Sequence, residues 1–208
     1  MFRFCQWIDG INRFIGKTVS WLCLLLVLIV VQQVISRYIF NSSSIAVSEF
    51  EWHLFGIIFL CSMAWTLEQE GHVRVDLLYG RFSEKVKAWV NIFGILFMLL
   101  PLCGILIWFG IDFTKGAMEY INPRSVDYYS ADWFAKGSFF YERLSSVEGW
   151  LRETVFFGEL SSDPGGLEGR WLIKAIMPFS FVLLSMQALS MLFKNILILR
   201  NKKTGNVS

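Results

Sequence analysis

The sequence predicts an all-α integral membrane protein: four transmembrane helices, an N-terminal amphipathic interfacial helix and a long outer loop between helices 3 and 4. Three observations carry this prediction. Four apolar stretches, about Val19 to Ile35, Phe50 to Leu67, Ala88 to Phe113 and Trp171 to Phe193, each approach the roughly 20 residues that cross a bilayer. The apolar runs are continuous rather than alternating, so they read as helices that satisfy their own backbone polar groups. Charged residues crowd at the ends of the stretches, where water and headgroups solvate them.

Residues 1–17 precede the first span. Phe4, Trp7, Ile8, Ile11, Phe14 and Ile15 recur at helical spacing with Arg3, Asp9, Arg13 and Lys17 between them, the pattern of a helix lying on a membrane surface. The apolar run continues to Ile35 with no A-x-A-like cleavage site after it, so the first span is expected to be retained. The spans are placed at 19–38, 49–67, 87–113 and 171–194, within a single membrane domain of residues 1–208. A loop occupies 114–170 and a tail 195–208.

Orientation follows from Lys and Arg near the span ends. Arg3, Arg13 and Lys17 precede span one; Arg74, Arg81, Lys85 and Lys87 lie between spans two and three; Lys194, Arg200, Lys202 and Lys203 follow span four. The first loop has only Arg37. Both termini are expected in the cytoplasm. The third loop carries six basic and nine acidic residues over its 57 positions, and a segment of that length crosses largely regardless of charge. It contains Asn122-Pro123, a Tyr128-Tyr129 pair, an amphipathic segment around Leu144 to Phe157 and a turn at Asp163-Pro164-Gly165-Gly166. It reads equally as a cap over the helix ends or as a docking surface for a soluble partner.

This topology brings five ionisable groups to one outer level: Arg37, Glu49, Glu51, Asp112 and Lys174. Unpaired charge near hydrocarbon is costly, so Arg37 or Lys174 is expected to pair with Glu49 or Glu51 across helices. A proton relay would need such groups continued through the bilayer. The interior offers mainly Gln32, Gln33, Ser62, Ser180, Ser185 and Gln187, which suit helix packing. Pro101 and Pro178 are candidate kinks in spans three and four, while Gly56, Gly94, Gly104 and Gly110 are candidates for close helix contact. Trp21, Trp52, Trp65, Trp89, Trp108 and Trp171 are expected as interfacial anchors.

Several function classes are disfavoured. A net charge of +2 offers no basic surface for nucleic acid. Cys5, Cys23, Cys61 and Cys103 form no C-x-x-C pair, so redox and thiolate-metal chemistry have no framework. Haem ligation within a bundle draws on several histidines, and only His53 lies in a span. His72, with Glu70 and Asp76 nearby, is a poor metal set because it brings one imidazole and flexible carboxylates; a structural or partner-contact loop containing His72, Arg74 and Asp76 is the better reading. No catalytic, cofactor-binding or metal-binding residue is expected.

One ordered combination goes further. Arg37-Tyr38-Ile39-Phe40-Asn41 follows span one, Glu49 and Glu51 open span two, and Gly71-His72-Val73-Arg74-Val75-Asp76 follows it. Together these resemble the small membrane (DctQ-type) subunit of tripartite ATP-independent periplasmic (TRAP) transporters, over spans one to four. Asp163-Pro164-Gly165-Gly166-Leu167 and Arg170-Trp171-Leu172-Ile173-Lys174-Ala175 resemble the longer members, and the enlarged third loop departs from the compact ones. The resemblance implies a scaffold in the bacterial inner membrane, in a secondary transporter driven by an ion gradient. Its partners would be a large elevator-type membrane subunit, a periplasmic substrate-binding protein and the lipid bilayer. Substrates of such systems are mostly organic acids, including dicarboxylates, sialic acids and 2-oxo acids. Arg37, Glu49, Glu51 and Lys174 are then an outer structural set, and His72, Arg74 and Asp76 a cytoplasmic one. An autonomous channel would need a polar pathway that scattered Ser and Gln do not supply. A purely structural four-helix protein fits the composition as well, and only the resemblance argues against it.

Overall fold

The computed structural model describes residues 2–69, 82–119, 139–163 and 166–204. Within them the chain forms α1 (Phe2–Ile39), α2 (Ile45–Glu68), α3 (Glu84–Gly94), a π turn (Ile95–Leu99), α4 (Leu100–Glu119), α5 (Phe139–Thr154) and α6 (Trp171–Thr204). Four stretches are long and apolar enough to cross a membrane: Cys5–Ile39, Ile45–Glu68, Lys85–Glu119 and Trp171–Arg200. The chain is a multi-pass membrane protein.

Each helix begins and ends for local reasons. α1 runs through the expected division at 17–19 without a break, because Gly16-Lys17-Thr18-Val19 contains neither proline nor a capping turn. It ends at Ile39, and two residues later Asn41, with a φ of 50°, is left-handed, a conformation that asparagine tolerates better than most residues. The third span has a local defect in its middle. Pro101 has no N–H to donate, and its ring crowds the carbonyl one turn back. Immediately before it the helix widens into the π turn, and the Leu100 N–H donates to the Ile95 carbonyl, five residues earlier. α6 stays helical through Pro178.

The residues fall into two compact units. The first comprises Met1–Leu25, Phe55–Phe109 and Ile176–Ser208. Its apolar core joins Leu67, Ile95, Cys103, Leu184, Ala188 and Met191, with Met63, Leu99, Leu100, Phe181 and Leu192 packed around them. α6 is the spine of this unit, since Leu184, Gln187, Ala188, Met191 and Asn195 recur every three or four residues and are buried. α1 presents Cys5, Ile8, Asn12, Gly16 and Val19 as a second buried stripe. The amphipathic N-terminal segment therefore uses one face for protein packing, while Trp7 and Phe14 stay exposed.

Lipid tails are as apolar as leucine, so helix association here depends on close packing and hydrogen bonds more than on water exclusion. Gly16 supplies the close approach: a Cβ there would lie 2.6 Å from the Trp65 ring. Three of the four glycines expected in this role behave otherwise. Gly56, Gly94 and Gly104 have nothing within 4 Å of an added Cβ, because hydropathy shows that a glycine lies in a span but not which face it occupies.

The second unit comprises Leu26–Leu54 and Gly110–Ala175. Its described loop segment folds back on α4: the Glu159 N–H donates to the Ala117 carbonyl at 2.8 Å, and the Arg170 N–H to the Glu159 carbonyl at 3.0 Å. Gly158, at φ 84°, permits this return, since a Cβ there would sit 2.6 Å from the Ala117 oxygen. The expected turn at 163–166 closes with the Gly166 N–H donating to the Asp163 carbonyl at 3.1 Å. The helix expected around Leu144 to Phe157 is α5, which starts and stops earlier and exposes Leu144, Val147 and Trp150 along one face.

Candidate functional site

Two polar clusters stand out among the described residues, one in each unit. In the first unit the Asp9 carboxylate is the hub. Its Oδ1 accepts from Gln187 Nε2 and from Ser190 Oγ, both at 3.0 Å, and its Oδ2 accepts from Lys194 Nζ at 2.6 Å. Asn12 Nδ2 donates to Gln187 Oε1 at 2.6 Å, so the glutamine bridges Asp9 and Asn12. Helical spacing aligns all five: Asp9 and Asn12 are i and i+3 on α1, while Gln187, Ser190 and Lys194 are i, i+3 and i+7 on α6. Gln187 and Ser190 are fully buried, where an unpaired amide or hydroxyl would be costly. Beside this cluster Arg13 pairs with Glu68 of α2 at 2.6 Å.

In the second unit the hub is Glu49. Ser161 Oγ donates to its Oε1, and the Leu167 N–H donates to its Oε2 at 2.6 Å. The Ser161 hydroxyl oxygen in turn accepts the Asp163 N–H at 3.2 Å, and the Ser161 N–H donates to the Leu167 carbonyl. A buried carboxylate on α2 thus ties down the turn at 161–167 through neutral donors. Next to it His53 is buried and stacked on Trp52, with ring centroids 4.1 Å apart and its Nε2 without a hydrogen-bond partner. The Arg170 guanidinium lies over the Trp52 ring, 5.6 Å from its centroid.

The outer residues expected from the sequence divide as follows. Lys174 is ion-paired, but with Glu159 rather than Glu49 or Glu51, and its ammonium also lies 4.1 Å from the Phe113 centroid. The expected pairing is corrected because the loop before α6 folds back and delivers its own carboxylate. Glu51 accepts from Gln33 Nε2 at 2.8 Å, and the Gln33 carbonyl accepts from Ser48 Oγ, so a neutral amide joins α1 to α2 there. Arg37 is exposed and lies over the neighbouring Tyr38 ring. Asp112 is exposed as well. His72, Arg74 and Asp76 lie outside the described residues.

Of the six tryptophans expected as anchors, Trp21, Trp52, Trp89 and Trp108 are largely exposed. Trp65 packs against Gly16, and Trp171 donates its indole N–H to the Val155 carbonyl at 2.9 Å.

The Asp9 cluster escaped sequence reading. Its signal was present as Gln187-x-x-Ser190-x-x-x-Lys194, a polar stripe inside an apolar helix, but nothing local named its partner 178 residues or more away. Chemically, both clusters are clasps. Their carboxylate oxygens are engaged by amide and hydroxyl donors and, in the first cluster, by the Lys194 ammonium. Among the described residues no group of three His, Cys, Asp or Glu side chains is placed to hold a metal ion.

A family model described as "Tripartite ATP-independent periplasmic transporters, DctQ component" matches residues 26–133, just over half of the chain. No curated protein matches the chain. No solved structure matches it either.

Proposed function

The chain belongs to the DctQ family, the small permease component of tripartite ATP-independent periplasmic transporters, and from that premise we propose that it is a non-catalytic scaffold for a large elevator-type membrane subunit. It is a transporter component and works within a multi-subunit complex. The family match carries the proposal, because it spans the helices that hold Gln33, Glu49 and Glu51.

The clasps support a scaffold role. Polar groups in a span that bound substrate or ion would be left available to it, whereas Asp9, Glu49, Glu51 and Lys174 are committed to internal hydrogen bonds or ion pairs. Exposed apolar side chains cover much of α1 and the third span, including Leu28, Val31, Phe93, Phe97, Trp108 and Phe109. Such surfaces suit burial against a second membrane protein on one side and lipid on the other.

In the full proposal the complex imports an organic acid, dicarboxylates included, driven by an ion gradient and delivered by a periplasmic binding protein. It sits in the bacterial inner membrane with both termini of this chain cytoplasmic. The large subunit carries the substrate and ion sites, and this chain steadies its static part. Residues 114–170 face the periplasm, and His72, Arg74 and Asp76 form a cytoplasmic contact loop.

The test is uptake into proteoliposomes containing the large subunit, with the binding protein and an imposed sodium gradient, in the presence and absence of this chain. The proposal expects uptake only with both membrane proteins, and expects Glu49→Ala or Glu51→Ala to lower assembly without changing which acid is carried. Normal assembly with an altered substrate choice would contradict a scaffold role.

A further inference from the structure

Gln32 is a polar side chain of α1 set among apolar ones. It lies in the apolar part of the first span, is exposed, and has no hydrogen-bond partner among the described residues. Its neighbour Gln33 has two partners, Ser48 and Glu51. Lys17 and Arg37 bracket about 30 Å of helix at 1.5 Å per residue, the thickness of the hydrocarbon core. On that ruler Gln32 sits about 7 Å inside the outer boundary.

Escape to the interface is disfavoured by helix geometry. Side chains tilt toward the helix N-terminus, so Gln32 leans away from the nearer boundary at Arg37 and toward the bilayer centre. An amide carries two donors and an acceptor that lipid tails cannot engage. Leu28, Gln32, Ile35 and Ile39 recur at i, i+4, i+7 and i+11 and are all exposed, so the amide sits in a continuous apolar stripe.

We propose that the Leu28, Gln32, Ile35 and Ile39 face of α1 packs against a transmembrane helix of the large subunit, which presents a polar side chain or free backbone carbonyl to the Gln32 amide. The inference rests on the accessory-subunit reading above and assigns that role to one face of one helix. A different polypeptide is favoured over a second copy because the chain already belongs to a multi-subunit transporter. The opposite face supplies the internal control: Val34 is exposed at nearly the same depth, about 200° around the helix from Gln32.

The test places the photo-crosslinking residue p-benzoylphenylalanine at position 32 or 34, in native membranes that also contain the large subunit, with a tag on this chain. A covalent adduct to the large subunit from position 32 and none from 34 is expected. In parallel, Gln32→Leu should reduce the large subunit retained in mild detergent by about threefold, the effect of one interhelical hydrogen bond in a membrane. An adduct between two copies of this chain from position 32, or an adduct to the large subunit only from 34, would overturn the assignment. Absence of an adduct from position 32 while the large subunit still co-purifies would overturn the face and leave the accessory role standing. Failure of any large subunit to co-purify with the unmodified chain would overturn both.

Discussion

The Lys194 ammonium lies 2.6 Å from the Asp9 carboxylate, joining two residues that are 185 positions apart and belong to the first and last helices of the chain. Gln187 and Ser190 share the same carboxylate. In a lipid-solvated bundle such contacts fix helix register, because leucine against leucine and leucine against lipid differ little in energy.

Removing the hub should therefore be more harmful than removing one spoke. Asp9→Ala leaves Gln187 and Ser190, both buried, without their acceptor, and should cost roughly 2 kcal/mol. Lys194→Met should cost less, because that ammonium is nearly half exposed. Thermal unfolding midpoints in a mild detergent compare the two. A larger loss for Lys194→Met would show that charge pairing, not the buried amide and hydroxyl, dominates the clasp.

Gly16 and Gly56 give opposite expectations for the same substitution. Gly16→Ala drives a methyl group into the Trp65 ring and should destabilise the first unit by about 1 to 3 kcal/mol. Gly56→Ala meets nothing within 4 Å and should be neutral or slightly stabilising, since alanine is the better helix former. The same unfolding assay reads both. Equal effects would contradict the close approach of α1 to α2 at Trp65.

Glu49→Ala should release the turn at 161–167. The Leu167 amide loses its acceptor, so its hydrogen exchange should accelerate markedly while amides of the apolar core stay protected. Unchanged exchange at Leu167 would mean that the carboxylate does not hold the turn.

Lys174 and Glu159 should behave as a coupled pair. Both are partly buried, so Lys174→Met and Glu159→Gln should each destabilise, and the double substitution should fall short of their sum by about 1 kcal/mol. Strict additivity would remove the ion pair as an organising contact of the second unit.

The fold was legible in the sequence because membrane spans are written in local composition. An apolar run such as Cys23 to Val31 can only be satisfied as a helix in lipid, whatever surrounds it. The turn at 163–166 was legible for the same local reason, Asp-Pro-Gly-Gly being turn chemistry. Partner choice was not. Glu49 and Lys174 were recognisable as charges needing partners, but Ser161, Leu167 and Glu159 reach them only because Gly158 lets the loop return to Ala117. That return depends on the left-handed backbone of Gly158, and no periodicity announces it. Similarly, Gly56 and Gly16 look alike in sequence, and only helix rotation decides which one meets a neighbour.

The most direct test of the accessory-subunit account is co-purification from detergent-solubilised native membranes, with a tag on the tail after α6 and mass spectrometry of whatever is retained. The account predicts a large polytopic membrane protein in stoichiometric amount. Recovery of this chain by itself as a stable homo-oligomer, in a detergent mild enough to hold known membrane complexes together, would contradict it.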